Sequence, residues 1–126
     1  MAGADLTGRR VIVVEDDYLI ADEMRELLED SGAEVVGPAP TVQDALNLLG
    51  RPGAIDGAVL DVNLRGEPSY GVADALLARG VPFVFVTGYG SGVIPQRYAG
   101  GGRCEKPVGI EAITRALGFD DARPVH

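Results

Sequence analysis

Cysteine is almost absent: Cys104 is the single one in 126 residues, so neither an internal disulfide framework nor a cysteine-rich zinc site can be built. Basic residues are also scarce. Eleven Lys and Arg against nineteen Asp and Glu leave a formal charge of −8. Without basic surface in bulk, binding to a phosphate backbone is not the main work of the chain. No apolar run approaches bilayer-spanning length, and Met1 to Gly8 lacks the apolar core of a signal peptide. Internal repeats, linkers and low-complexity boundaries are missing too. Together these absences imply a cytoplasmic protein that engages neither nucleic acid nor membrane. What is present, 46% apolar and 24% charged residues, suits one soluble domain with a sizeable core.

The chain is organised around Ala58-Val59-Leu60-Asp61-Val62-Asn63-Leu64, an apolar run that reads as a buried strand leading up to a carboxylate. Asn63, Arg65, Gly66 and Glu67 then open a loop. Before it, residues 1–8 form a leader and Arg9 to Val14 a first strand of the continuous apolar type found in parallel sheets. Asp17 occupies a helix N-cap position, and Leu19, Ile20, Met24, Leu27 and Leu28 follow at helical spacing until Ser31-Gly32. Glu34 to Gly37 is a second strand. Thr41 caps a helix with Val42, Ala45, Leu46 and Leu49 inward, ended by Gly50. Asp56 to Asp61 is the third strand, and Val72, Ala73, Leu76 and Leu77 mark a helix over 70–78 that stops at Gly80. Val81 to Val86 is the fourth strand. In the glycine-rich stretch Gly88 to Gly102, only Ile94 to Ala99 can make a short helix. Arg103 to Glu105 is a fifth strand, Ile110, Ile113 and Leu117 mark a last helix, and residues 119–126 are a tail.

Strands alternating with helices predict a doubly wound, five-stranded parallel sheet of flavodoxin-like α/β type over residues 9–118, with a short or irregular fourth helix. Ligands of such folds bind outside the carboxyl ends of the strands. Glu15-Asp16, Asp61, Thr87-Gly88 and Lys106 all fall there. Clustered carboxylates repel one another unless a cation neutralises them. Magnesium suits the set, since it takes oxygens, keeps several waters and needs only one or two carboxylates plus phosphate oxygens. Asp61 would then be a nucleophile for a phosphoryl group. Lys106 would pair with one phosphoryl oxygen, and the Thr87 hydroxyl with backbone N–H groups, Gly88 among them, would bond another. Each element has a plainer reading: acids capping a helix, a Thr-Gly turn, a surface lysine before a helix-starting proline. Cys104 reads as a buried small hydrophobe.

The motifs Val13-Val14-Glu15-Asp16-Asp17, Leu60-Asp61-Val62-Asn63-Leu64, Val86-Thr87-Gly88 and Glu105-Lys106-Pro107 resemble those of the receiver domain of two-component response regulators, over Arg10 to Leu117. The resemblance implies that Asp61 accepts a phosphoryl group from a histidine kinase. It also implies that Mg2+ is held by Asp16, by Glu15 through water, by Asp61 and by the backbone carbonyl of Asn63. Thr87 and Lys106 would be the switch hydroxyl and the phosphate-binding lysine. Pro82 to Tyr89 looks similar to the signature of the stand-alone FATGUY subfamily, which implies a kinase of the HWE or a related type. Val86 replaces the signature alanine, however, and Tyr89 comes one place early. Arg103 stands where most receivers carry an aromatic residue, leaving the usual coupling of threonine movement to ring rotation without its ring. Ordering of Gly88 to Gly102 on phosphorylation is the expectation in its place.

The resemblance implies signalling by contact with a downstream protein, or service as a phosphate sink, with no small-molecule turnover beyond slow loss of the chain's own phosphoryl group. A phosphohydrolase of the haloacid-dehalogenase type needs a second acid two residues after the nucleophile, where this chain has Asn63. A flavodoxin-like cofactor module wants glycines or hydroxyls where Glu15-Asp16-Asp17 stands. A receiver that signals without phosphorylation is the remaining alternative. His126 is terminal and has no partners suited to phosphotransfer.

Overall fold

The computed structural model describes residues 6–64, 66–87, 102–105 and 109–119, with the backbone alone at Thr87 and at 102–105. Three short runs of mainly apolar residues become its inner strands: β1 (Arg10–Val14), β3 (Gly57–Asp61) and β6 (Phe83–Thr87). They are flanked by β2 (Glu34–Ala39) and β7 (Gly102–Glu105), giving one parallel sheet in the order β2-β1-β3-β6-β7. The described helices are α1 (Tyr18–Asp30), α2 (Val42–Leu49), α3 (Tyr70–Arg79) and α4 (Ile110–Leu117). The predicted flavodoxin-like fold is the observed one. The short helix expected over 94–99 lies outside the described residues.

Side chains alternate across a strand, and here both sets are buried. Ile12, Val14, Ala58, Leu60, Phe83 and Phe85 pack with Val42, Ala45 and Leu49 of α2 and Val72, Ala73 and Leu76 of α3. Val11, Val13, Val59, Val84 and Val86 pack with Met24 and Leu28 of α1 and Ile113 and Leu117 of α4. A sheet covered on both faces requires continuous apolar strands. Among the described residues no helix is long and apolar enough to cross a membrane.

Helix ends follow the sequence closely. Asp17 Oδ1 accepts from the N–H groups of Leu19 (3.0 Å) and Ile20 (3.1 Å), and Thr41 Oγ1 from that of Asp44 (3.0 Å). Two expected inward residues are not inward. Leu19 is 72% exposed, because it sits about 200° around the helix from Ala21, which with Met24 and Leu28 forms the buried stripe. Leu77 is 47% exposed, one residue past the Val72, Ala73 and Leu76 face. Leu6, placed by the sequence in the leader, is fully buried and donates its N–H to Ser31 O at 2.7 Å. Phe119, placed in the tail, packs on the α1/α4 side of the core with the Arg9 guanidinium 4.4 Å from its ring centroid.

The second strand runs to Ala39, beyond the predicted end at Gly37, and the extension ties it to Glu15. Ile12 pairs with Val36 and Val14 with Ala39, so β2 carries an extra residue against β1. Ala39 then accepts the backbone N–H of Glu15 at 3.0 Å. Gly37 makes the irregularity possible: its φ is +95°, and a Cβ there would lie 2.8 Å from Ala39 N and 3.0 Å from Val13 O. We expect Gly37→Ala to destabilise the protein by roughly 1–3 kcal/mol, read as a lower urea midpoint at unchanged slope. An unmoved midpoint would contradict this reading of the strand.

Candidate metal and phosphoryl site

The strand order fixes where a ligand can sit. The chain leaves β1 toward β2 on one side and returns to β3 on the other, so a crevice opens between the carboxyl ends of β1 and β3. Val14 pairs with Leu60 in the β1–β3 register. The next residues along are Glu15 and Asp61, delivered side by side by two buried strands.

Glu15 is 6% exposed, an unusual position for a carboxylate. Its Oε2 accepts the backbone N–H of Asp17 at 3.1 Å, so the same aspartate that caps α1 also orients Glu15. Asp16 and Asp61 are half-buried. Carboxylate oxygens of Glu15, Asp16 and Asp61 all lie within 4.8 Å of one another. Like charges held this close repel one another. The N-terminus of α1 offsets part of this. A divalent cation offsets far more, and an all-oxygen donor set of this kind suits Mg2+, Mn2+ or Ca2+ better than a soft metal. The residues present therefore fit the cation that the sequence implied.

Past Asp61 the chain makes a small hairpin that the sequence did not announce. β4 (Asn63–Leu64) pairs antiparallel with β5 (Glu67–Pro68), Asn63 opposite Pro68 and Leu64 opposite Glu67. Val62, between Asp61 and this hairpin, gives its carbonyl to Ser69, which donates its N–H at 2.8 Å. On the other side of β3, Asp61 pairs with Val86, and Val86 with Cys104. Thr87 and Glu105 pair one step further out, which brings the backbone of Thr87 to the level just beyond Asp61. The Thr87 and Cys104 side chains, and Gly88 and Lys106 altogether, lie outside the described residues, as do Tyr89 and the remainder of Gly88 to Gly101.

A cleft of about 420 Å3 opens beside the acids, with Glu15, Asp16, Tyr18, Arg25, Pro38 and Pro40 in its lining. Tyr18 is 83% exposed at its rim. Arg25 is held by Asp22 at 2.5 Å and Glu29 at 2.8 Å. The Asp22 hydrogen bond and charge keep the guanidinium pKa above its ordinary value. Tyr18 and the cleft escaped the sequence because a lone aromatic at a helix start carries no period of its own.

No protein-family model matches the chain. Among curated relatives it is similar to the phyllosphere-induced regulator PhyR of Methylorubrum extorquens, 31% identical over 127 aligned positions that cover 89% of this chain and 45% of PhyR. The chain spans between 33% and 55% of the length of the curated relatives it matches. Among solved structures it is similar to SdrG from Sphingomonas melonis Fr1, with 37% identity, a TM-score of 0.77, and coverage of 94% of this chain and 98% of SdrG. The BeF3-activated conformation of SdrG matches at 40% identity and a TM-score of 0.70, covering 87% and 93% of the two chains. The non-phosphorylated HemR receiver domain from Leptospira biflexa matches at 27% identity and a TM-score of 0.70, covering 94% and 99%.

Proposed function

The chain belongs to the receiver-domain family of two-component response regulators, and from that premise we propose that it accepts a phosphoryl group on Asp61 from a histidine kinase in a Mg2+-dependent reaction. The observation that supports this most is the convergence of three carboxylates within 4.8 Å at the point where the strand order reverses. In the reaction, a carboxylate oxygen of Asp61 forms a bond to phosphorus while the P–N bond of a phosphohistidine breaks. The leaving imidazole nitrogen keeps the electron pair and takes a proton from solvent. Bound Mg2+ supplies charge neutralisation on the phosphoryl oxygens. Asp16 and Asp61 would hold the cation directly with the Asn63 carbonyl, and Glu15 through water. Such a transfer needs mainly in-line positioning and charge stabilisation, which strand-end residues on a rigid sheet provide. Thr87, Gly88 and Lys106 complete the phosphoryl pocket in this reading.

The likeness to SdrG in its BeF3-activated conformation supports a response to phosphoryl mimics in this chain as well. We assign the chain to the FATGUY type, with a kinase of the HWE or a related class as donor. Output is by contact with another protein or by draining phosphoryl groups from a shared kinase, with no separate small-molecule turnover. Incubation with acetyl phosphate, followed by intact mass, tests the chemistry. The expected result is one phosphate adduct that appears with Mg2+ and disappears with EDTA. A folded protein that gains no adduct at saturating Mg2+ would overturn the proposal in favour of a receiver that signals without phosphorylation.

A further inference from the structure

Ser69 stands at the N-cap of α3 and yet does not cap it: its side chain makes no hydrogen bond to the helix. It is nonetheless fully buried. Its hydroxyl turns back and donates to the Val62 carbonyl at 3.3 Å, the same oxygen that its own N–H reaches at 2.8 Å. A serine that abandons the helix it begins, to place two donors on one carbonyl next to Asp61, is doing something other than capping.

Carbonyls alternate in direction along an extended chain. Fixing the Val62 carbonyl toward Ser69 therefore turns the Asn63 carbonyl away from β5. Asn63 and Pro68 form a non-hydrogen-bonded pair of the hairpin, so β5 does not take up the Asn63 carbonyl. Ser69 is itself rigidly held: its carbonyl accepts from Val72 N (3.0 Å) and Ala73 N (3.1 Å). The ring of the next residue, Tyr70, stands edge-on to Phe85 at 6.2 Å between centroids. A strut thus runs from β6 through Tyr70 and Ser69 to the backbone beside Asp61.

We infer that Ser69 is a positioning residue of the cation site, clamping Val62 so that the Asn63 carbonyl is presented to the metal before it arrives. The inference rests on the proposed Mg2+ reading and names a residue that reading does not use. Groups that orient a metal ligand typically change affinity by about 10- to 100-fold when removed. Because the N–H bond survives in Ser69→Ala, the low end applies.

The test is Mg2+ affinity by calorimetry in wild type, Ser69→Ala and Thr41→Ala, with thermal midpoints measured in metal-free buffer. Ser69→Ala should bind Mg2+ about tenfold more weakly. Thr41→Ala, which removes a true cap from a helix that supplies no ligand to the site, should lower the midpoint and leave affinity unchanged. In wild type, amide exchange at Ser69 should slow on Mg2+ addition while that at Asp44 does not, a readout that survives if the alanine variant fails to fold. Wild type that binds no Mg2+ would overturn the metal reading itself. Wild type that binds, with Ser69→Ala binding equally well or with Ser69 exchange unmoved, would overturn only the role of Ser69.

Discussion

Asp61→Asn is expected to leave a folded protein that gains no phosphate from acetyl phosphate and Mg2+, whereas wild type should gain one. Asparagine fills nearly the same space at the end of β3 and preserves the pairing of residue 61 with Val86, so loss of the adduct reports chemistry and not collapse. The amide nitrogen and oxygen are poor nucleophiles toward phosphorus, and the substitution also removes one of three charges from the cluster. That lost charge has a second effect. In metal-free buffer the variant should be no less stable than wild type, because repulsion from Glu15 and Asp16 is relieved. Saturating Mg2+ reverses the order: at one hundred times its dissociation constant a cation stabilises wild type by about 2.7 kcal/mol, and the variant by much less. Thermal midpoints in EDTA and in Mg2+ check both signs. Equal midpoint gains in the two proteins would show that Asp61 is not a ligand.

Phe85→Ala should be the most damaging substitution in the described core. Phe85 is fully buried, stacked edge-on against Phe83 at 5.5 Å and Tyr70 at 6.2 Å. Removing such a ring costs about 3–5 kcal/mol through lost burial and the cavity left behind. Against a total of roughly 5–15 kcal/mol for a domain, that is a large share. The damage also reaches the site, since Phe85 pairs with Leu60 and lies two residues before Thr87. Urea unfolding followed by circular dichroism gives the value. Leu77→Ala, at a residue 47% exposed, serves as the comparison and should stay within about 0.5 kcal/mol of wild type. Comparable losses in the two variants would mean that the two-faced core is wrongly drawn.

Strands buried on both faces announce themselves, which is why β1, β3 and β6 were legible in the sequence. The acids were legible for the same reason: a carboxylate ending such a run has little company except a cation or donors, and Glu15, Asp16 and Asp61 do converge. Residues whose place depends on tertiary packing were not. Leu6 looks like part of a loose leader until Ser31 takes its N–H. Leu19 and Leu77 are apolar at plausible spacings, but a helix buries one stripe and both fall off it. The β4–β5 hairpin has neither alternation nor length, and a proline sits in its second arm. Ser69 was hidden most completely, because a serine before a helix reads as a cap, and only the three-dimensional path of Val62 shows where its hydroxyl goes.

The most direct measurement is the anomalous scattering of Mn2+, a close substitute for Mg2+, in crystals of the unphosphorylated protein. The expected map has its strongest peak bounded by Glu15, Asp16 and Asp61, bonded to Asp16, Asp61 and the Asn63 carbonyl. A strongest peak elsewhere, beside Asp22 and Glu29 for instance, with nothing among the three acids, would contradict it.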